Sequence, residues 1–296
     1  MKLILSRKGF DSGTGGVANP ILPSGRLCML PIPDSRSTIR YRDIRFSDPS
    51  LPQARMQNLG GLVSKLTQRR IQPRCGAHLD PDLLADSLPR KRDWRPLFGQ
   101  RGAALGHLQR QGIGLGDLFL FYGWFRQTEW VKGHLRYVAN APDLHVIFGW
   151  LQVGDIWDVT KGETAFPAWA GYHPHLQGVF RDENGSGQNA IYVAAQEMDP
   201  WFGLTNLSGG GLFSEFHPSL QLSEGSRLRS QWLLPSWFLP KEERPPLTYH
   251  GSTNRWHVVP DGVLLRTVGR GQEFVLNVDA YPESKSWLRE ILSRSK

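Results

Sequence analysis

"GDLFLFYGWFR", residues 116–126, decides the fold class. A Gly-Asp pair gives way to a short aromatic and apolar run that stops at Arg126. Glycine reaches positive φ and aspartate bonds its own turn backbone, so the first two residues read as a tight turn. The run behind them reads as a strand buried on both faces. Outward from it the same pattern recurs in "LRYVAN" (135–140), "LHVIFGWLQVGDIWDV" (144–159) and "NAIYVAAQ" (189–196), and residues 2–6 form a first strand. The Gly154-Asp155 pair reads as a second tight turn.

"ANPILPSGRLCMLPIPD" (18–34) reads as a hairpin turning at Pro-Ser-Gly. "STIRYRDIRF" (37–46) alternates well enough for a strand with a basic outer face. Helical spacing shows in 49–68, interrupted at Gly60 and Gly61, in "AALGHLQRQ" (103–111), and in the segment with Trp287, Leu288, Ile291 and Leu292 on one face. Strands outnumber helices. The expected class is α+β, a strand-rich mixed sheet or barrel-like core with peripheral helices. No low-complexity linker divides the chain, so residues 1–296 are read as one composite domain, with a basic part at 1–101 and a strand-rich part at 102–296.

The 296 residues are 40% hydrophobic and 21% charged, enough for a sizeable core. The net charge of +8 is unevenly placed. Residues 1–101 hold 18 Lys and Arg against 8 Asp and Glu, and the remainder is slightly acidic. Such a field attracts polyanions, although a solvated basic face has the same composition. Cys28 and Cys75 match no zinc or redox spacing, which points to a reducing cytoplasm. The apolar run in "MKLILSRKGF" is too short for a signal peptide, and no stretch approaches a membrane span.

Several constellations could carry chemistry. In "ILSRKGFDSGTGG" (4–16), Arg7, Lys8 and Asp11 sit on a glycine-rich bend after the first strand. Backbone N–H groups and two cations there suit a phosphate, and Asp11 suits a developing positive charge at a sugar carbon; an Asx-turn is the structural alternative. The bend matches neither the P-loop nor Gly-x-Gly-x-x-Gly, so no nucleotide cofactor is called for. "HLDPDL" (78–83) sets His78, Asp80 and Asp82 at alternate positions. Extended, they would share one face; the favoured reading is Asp80 as a helix cap with Pro81 first in the helix. His173 and His175 have no third ligand nearby in sequence, so no metal is expected. "GRGQEFV" places Arg270, Gln272 and Glu273 at the start of a strand, where they suit base or phosphate contacts or a surface turn. No serine-hydrolase or zinc-protease motif is present.

The blocks "LSRKGFDSGTGG", "PILPSG", "LPIPD", "HLDPDL", "FGQRGAALGHL", "GDLFLFYGWFR", "FGWLQVGD" and "GRGQEFVL", in that order, resemble the bacterial and phage family called nucleotide modification associated domain, third type. The resemblance runs from near residue 3 to near residue 289 and extends to anti-phage DNA glycosylases. It implies catalytic roles for Asp11, Lys8 and Asp80, with Arg7 and His78 beside them. The implied activity is excision of a hypermodified base from phage DNA. The flipped base would lie among Phe121, Tyr122, Trp124 and Trp150, each of which is otherwise an ordinary core residue. Asp11 would support the oxocarbenium-like sugar or activate water, or Lys8 would form a Schiff base. The alternatives are a transferase that installs or remodels a base modification and a non-catalytic reader of modified bases. The Gly-Asp strand entries are also similar to small barrels of the PUA and ASCH type.

Overall fold

The computed structural model describes residues 1–51, 57–160, 165–177, 187–225, 228–241, 243–269 and 273–295. Its centre is the antiparallel pair of Leu118–Val131 and Leu144–Asp158, whose first halves are buried without alternation, as the sequence pattern requires. These two strands lie inside a nine-stranded mixed sheet. From edge to edge its main path runs Glu273–Asn277, Lys2–Arg7, Leu118–Val131, Leu144–Asp158, Asn189–Ala194 and Leu97–Arg101. Lys2–Arg7 is parallel to the central strand and antiparallel to Glu273–Asn277. The architecture is α+β, with three α-helices among the described residues: Leu59–Leu66, Gly102–Arg110 and Ser284–Leu292. The sheet draws strands from both sides of residue 101.

Six strands laid flat would hold the two edges about 24 Å apart at the usual spacing of about 4.8 Å. Gln100 on one edge nevertheless donates from Nε2 to Oε1 of Glu273 on the other, at 2.6 Å. The sheet is therefore strongly curled. No backbone ladder joins its edges among the described residues, so the open mixed sheet stands and the closed barrel of the PUA and ASCH type does not. The Lys8 ammonium adds a third member to the seam, 2.9 Å from the same carboxylate oxygen. Only 11% of the Lys8 side chain and 1% of the Glu273 side chain reach solvent.

Two large apolar clusters flank this seam. One fills the curl with side chains of the long strands and the Ser284–Leu292 helix. The other gathers Phe10, Leu22, Leu30, Tyr41 and the buried face of Leu59–Leu66. Asn19 joins bend to sheet: its Nδ2 donates to the carbonyls of Phe10 and Trp124, and its Oδ1 accepts from Leu30 N–H.

Three local expectations need correction. Residues 37–46 form no strand but a short 3₁₀ turn at Tyr41–Asp43, because Tyr41 turns inward and donates its hydroxyl to Pro31 O. Gly60 does not interrupt the helix. It lies in the first turn, where Asn58 caps its N–H and Pro73 packs so closely that a Cβ would sit 2.7 Å away. Gly154-Asp155 is no turn; it is a bulge inside the Leu144–Asp158 strand, pressed against Ala195. The Gly116-Asp117 turn forms as read, with Asp117 accepting from Gly114 N–H and tying down Lys2 N–H.

Removing one partner of a buried ion pair strands the other charge, at a cost of about 3–5 kcal/mol. Glu273→Ala is expected to lower unfolding stability by about that much, measured by urea denaturation against the parent chain.

Candidate functional site

At the mouth of the seam lies a polar hollow of about 400 Å³. That is within the size range of small-ligand sites, roughly 300–1,000 Å³. Its walls come from the end of the first strand (Arg7, Lys8), the bend behind it (Asp11, Thr14), the Ile32–Arg36 segment, His78 and Asp80, the Gly99–Arg101 edge, and His175. The first strand and the Leu97–Arg101 edge face each other only because the sheet curls.

Asp80 is the chemical centre. It is 9% exposed, and its Oδ1 accepts the Gly99 N–H at 2.8 Å. Three imidazoles surround it: His173 Nε2 is 3.4 Å from Oδ1, while His175 Nε2 and His78 Nε2 are 3.6 and 3.9 Å from Oδ2. The His173 contact is long and poorly aligned, which leaves that buried nitrogen without a full hydrogen bond among the described residues. Burial alone would raise the Asp80 pKa. The His173 contact and the charges of His175, His173 and His78 outweigh it and hold the carboxyl well below the usual range. Burial pushes the His175 imidazole down to about 4, against the pull of Asp80. Asp34, whose Oδ2 is 3.1 Å from His78 Nδ1, is also held low: burial opposes its charge, but the Arg36 N–H and His78 prevail.

His175 reaches this position because residue 99 is glycine. A Cβ there would lie 2.3 Å from the imidazole Cδ2, so the ring occupies space any other residue would fill. A buried Asn189 then grips the ring, accepting at Nδ1 and donating to the His175 carbonyl.

The structure brings Arg7, Lys8, Asp11, His78 and Asp80 to one hollow and corrects the rest. Asp80 caps no helix; it sits in extended chain, with its carboxylate turned inward to Gly99 and the histidines. Asp82 leaves the shared face and pairs with Arg90. Asp11 is the Asx-turn: its Oδ1 accepts from Gly13 and Thr14 N–H. The amides of Asp11 and Gly16 are likewise bonded within the bend. The Lys8 ammonium is ion-paired inward to Glu273. Glu273 is buried behind Lys8 and makes no surface contact. Phe121, Tyr122 and Trp150 are fully packed core residues, and Trp124 bonds Asp143 under the Arg229 guanidinium. None of these four lines the hollow. Arg270 and Gln272 lie outside the described residues.

Sequence reasoning missed Gly99, Gln100, Arg101, Asp34 and Asn189, and set aside His173 and His175 for want of a third ligand. The fold supplies Asp80 and His78, and the ligand atoms of His78, Asp80 and His175 lie within 4.8 Å of one another.

The site is a cation-walled hollow in a curled α+β sheet, with an ionised carboxylate in its floor. Residues 2–277 match the sequence pattern of nucleotide modification associated domain 3, and the chain belongs to that family. Comparisons with curated proteins and with solved structures give no match. No helix among the described residues is long and apolar enough to cross a membrane.

Gly99→Ala is expected to expel the His175 ring and dismantle the cluster while leaving the extended strand intact, because the added methyl meets side chain rather than forcing backbone strain. The measurement is the histidine ring NMR spectrum, which should lose the shifted His175 signal while far-UV circular dichroism stays unchanged.

Proposed function

We propose that the chain is an enzyme acting on a modified base in DNA, and that it hydrolyses the N-glycosidic bond. The observation that carries this reading is a buried, ionised Asp80 in the floor of a hollow with cations in its wall. An extruded nucleotide enters with its phosphates against Arg7, Lys8, Arg36 and Arg101. Its sugar then faces Asp80. As the C1′–N bond lengthens, positive charge grows on the sugar, and a fixed carboxylate favours that state over the uncharged ground state. The same carboxylate orients the incoming water; the departing base leaves with the C1′–N electron pair and takes up the proton that the water loses. Asp11 and Lys8 support the reading as parts of the wall: one braces the bend, the other fixes a charge. Base stacking falls to His78, Ile32 and Pro33, which replace the aromatic set expected from sequence.

The transferase alternative is less favoured, since Asp11, Gly13, Thr14 and Gly16 of the glycine-rich bend bond their N–H groups within it.

The experiment is incubation of the full chain with hypermodified phage DNA and with unmodified DNA, without any donor, followed by mass spectrometry for free base and a count of abasic sites. Free modified base is the expected product. Asp80→Asn should reduce its release by about 10²–10⁴-fold while retaining DNA binding. Intact glycosidic bonds in every DNA tested, or turnover that requires an added donor, would overturn the reading. Arg36→Ala and Arg101→Ala should each weaken DNA binding on all sequences alike and lower the slope of log K against log salt by about 1. Fluorescence anisotropy across a salt series measures this.

A further inference from the structure

We propose that His78, Asp80 and His175 bind one divalent transition-metal ion of the zinc or cobalt kind. Hydrogen-bond direction around the three side chains carries the assignment. Asn189 donates its Nδ2 to the His175 carbonyl, which turns its oxygen to His175 Nδ1 at 2.6 Å. An amide oxygen only accepts, so Nδ1 carries the ring proton and Nε2 bears the lone pair. His78 Nδ1 likewise faces the Asp34 carboxylate at 3.1 Å, so in the neutral ring Nε2 is the acceptor. Both Nε2 atoms point to the same oxygen, Asp80 Oδ2, at 3.6 and 3.9 Å.

The other oxygen of Asp80 has the opposite surroundings. Oδ1 accepts from Gly99 N–H and faces His173 Nε2. His173 Nδ1 is an acceptor for the His175 N–H, so its Nε2 is the protonated nitrogen. One carboxylate thus turns one oxygen to donors and, with both rings neutral as metal binding requires, the other to two lone pairs. In a buried site acceptors facing each other repel, and a cation between them converts repulsion into three bonds.

The dimensions agree with this. Ligands at about 2.0–2.1 Å around a tetrahedral ion stand about 3.3–3.5 Å from one another. The two Asp80–histidine separations exceed that by a few tenths of an ångström, and all three ligand atoms lie within 4.8 Å of one another. Asp34 and Asn189 hold the far ring nitrogens, the outer partners that orient metal-binding imidazoles. Two imidazoles with one carboxylate favour zinc, cobalt or a neighbouring metal over magnesium or calcium. Three protein ligands leave a position open for water, on the side of the hollow. Where the reaction is the hydrolysis proposed above, that water is the attacking one, made more acidic by the ion. The binding site itself does not rest on that reading.

The test uses the full chain, made without a histidine tag and stripped by chelator, titrated with Co²⁺, Zn²⁺ and Mg²⁺ in separate arms. Co²⁺ should give visible ligand-field absorption that saturates at a single ion per chain and is bleached by Zn²⁺. The thermal midpoint should rise with either ion. Asp80→Asn and His175→Gln should abolish the absorption; Asp34→Asn, a milder change, should weaken binding by about 10–100-fold. Asp11→Asn should leave it unchanged. Circular dichroism of each variant without metal separates loss of binding from loss of fold, and Asp34→Asn decides the matter if the two ligand variants fail to fold. Three results would overturn the assignment: no saturable uptake of Co²⁺ or Zn²⁺, uptake that survives loss of the ligands, or preference for Mg²⁺. A chain that binds the ion but releases no base leaves the site standing and removes only the glycosylase reading.

Discussion

One carboxylate oxygen, Glu273 Oε1, holds the structure in its working shape. It receives Lys8 from the neighbouring strand and Gln100 from the opposite edge of the sheet. Nothing in the backbone ladder obliges those edges to meet, since they belong to strands five places apart. A charged hydrogen bond in low dielectric is strong enough to tie them, and its burial makes it intolerant of half-measures. Oε2 of the same residue is buried without a hydrogen-bond partner among the described residues, so the tie is asymmetric and all its strength runs through one atom. The position of the hollow follows, because Arg7 and Lys8 end one of the joined strands and Gly99 to Arg101 form the other.

The site separates charge by depth. Asp80 and its three rings occupy the floor, while Arg36 and Arg101 stand exposed at the rim and Arg7 lies between. A negatively charged ligand approaching the metal-free hollow is therefore drawn in by long-range attraction but meets a like charge at the bottom. Only a part of the ligand that is neutral or becomes positive is welcome there.

Much of the fold was legible because burial leaves a compositional trace. The aromatic run at 118–125 and its partner at 144–153 could hardly be other than interior strands, and the C-terminal helix showed its buried stripe. The curl was not legible: it brings residues 100 and 273 into contact, a pairing that no local pattern encodes. The site was half legible. Arg7, Lys8, Asp11, His78 and Asp80 were found because charged residues on bends draw notice. His175 was passed over because its partners are remote in sequence, and Gly99 because the absence of a side chain looks like nothing until a ring is seen against it. The aromatic residues misled for the converse reason: Phe121 and Tyr122 have the chemistry of a stacking platform, but a strand buried on both faces leaves neither available to a ligand.

The Lys2–Arg7 strand is hydrogen-bonded along its length to Glu273–Asn277, and Lys8 reaches across 265 positions to its counter-charge. On the ribosome, the early strand must wait beside a nearly finished sheet until the late one emerges. Until then Lys8 has no anchor and the opposing edge no reason to close. A nascent or prematurely terminated polypeptide can thus contain every imidazole and arginine of the pocket and still lack the pocket. The geometry delays competence until residue 273 has joined the sheet.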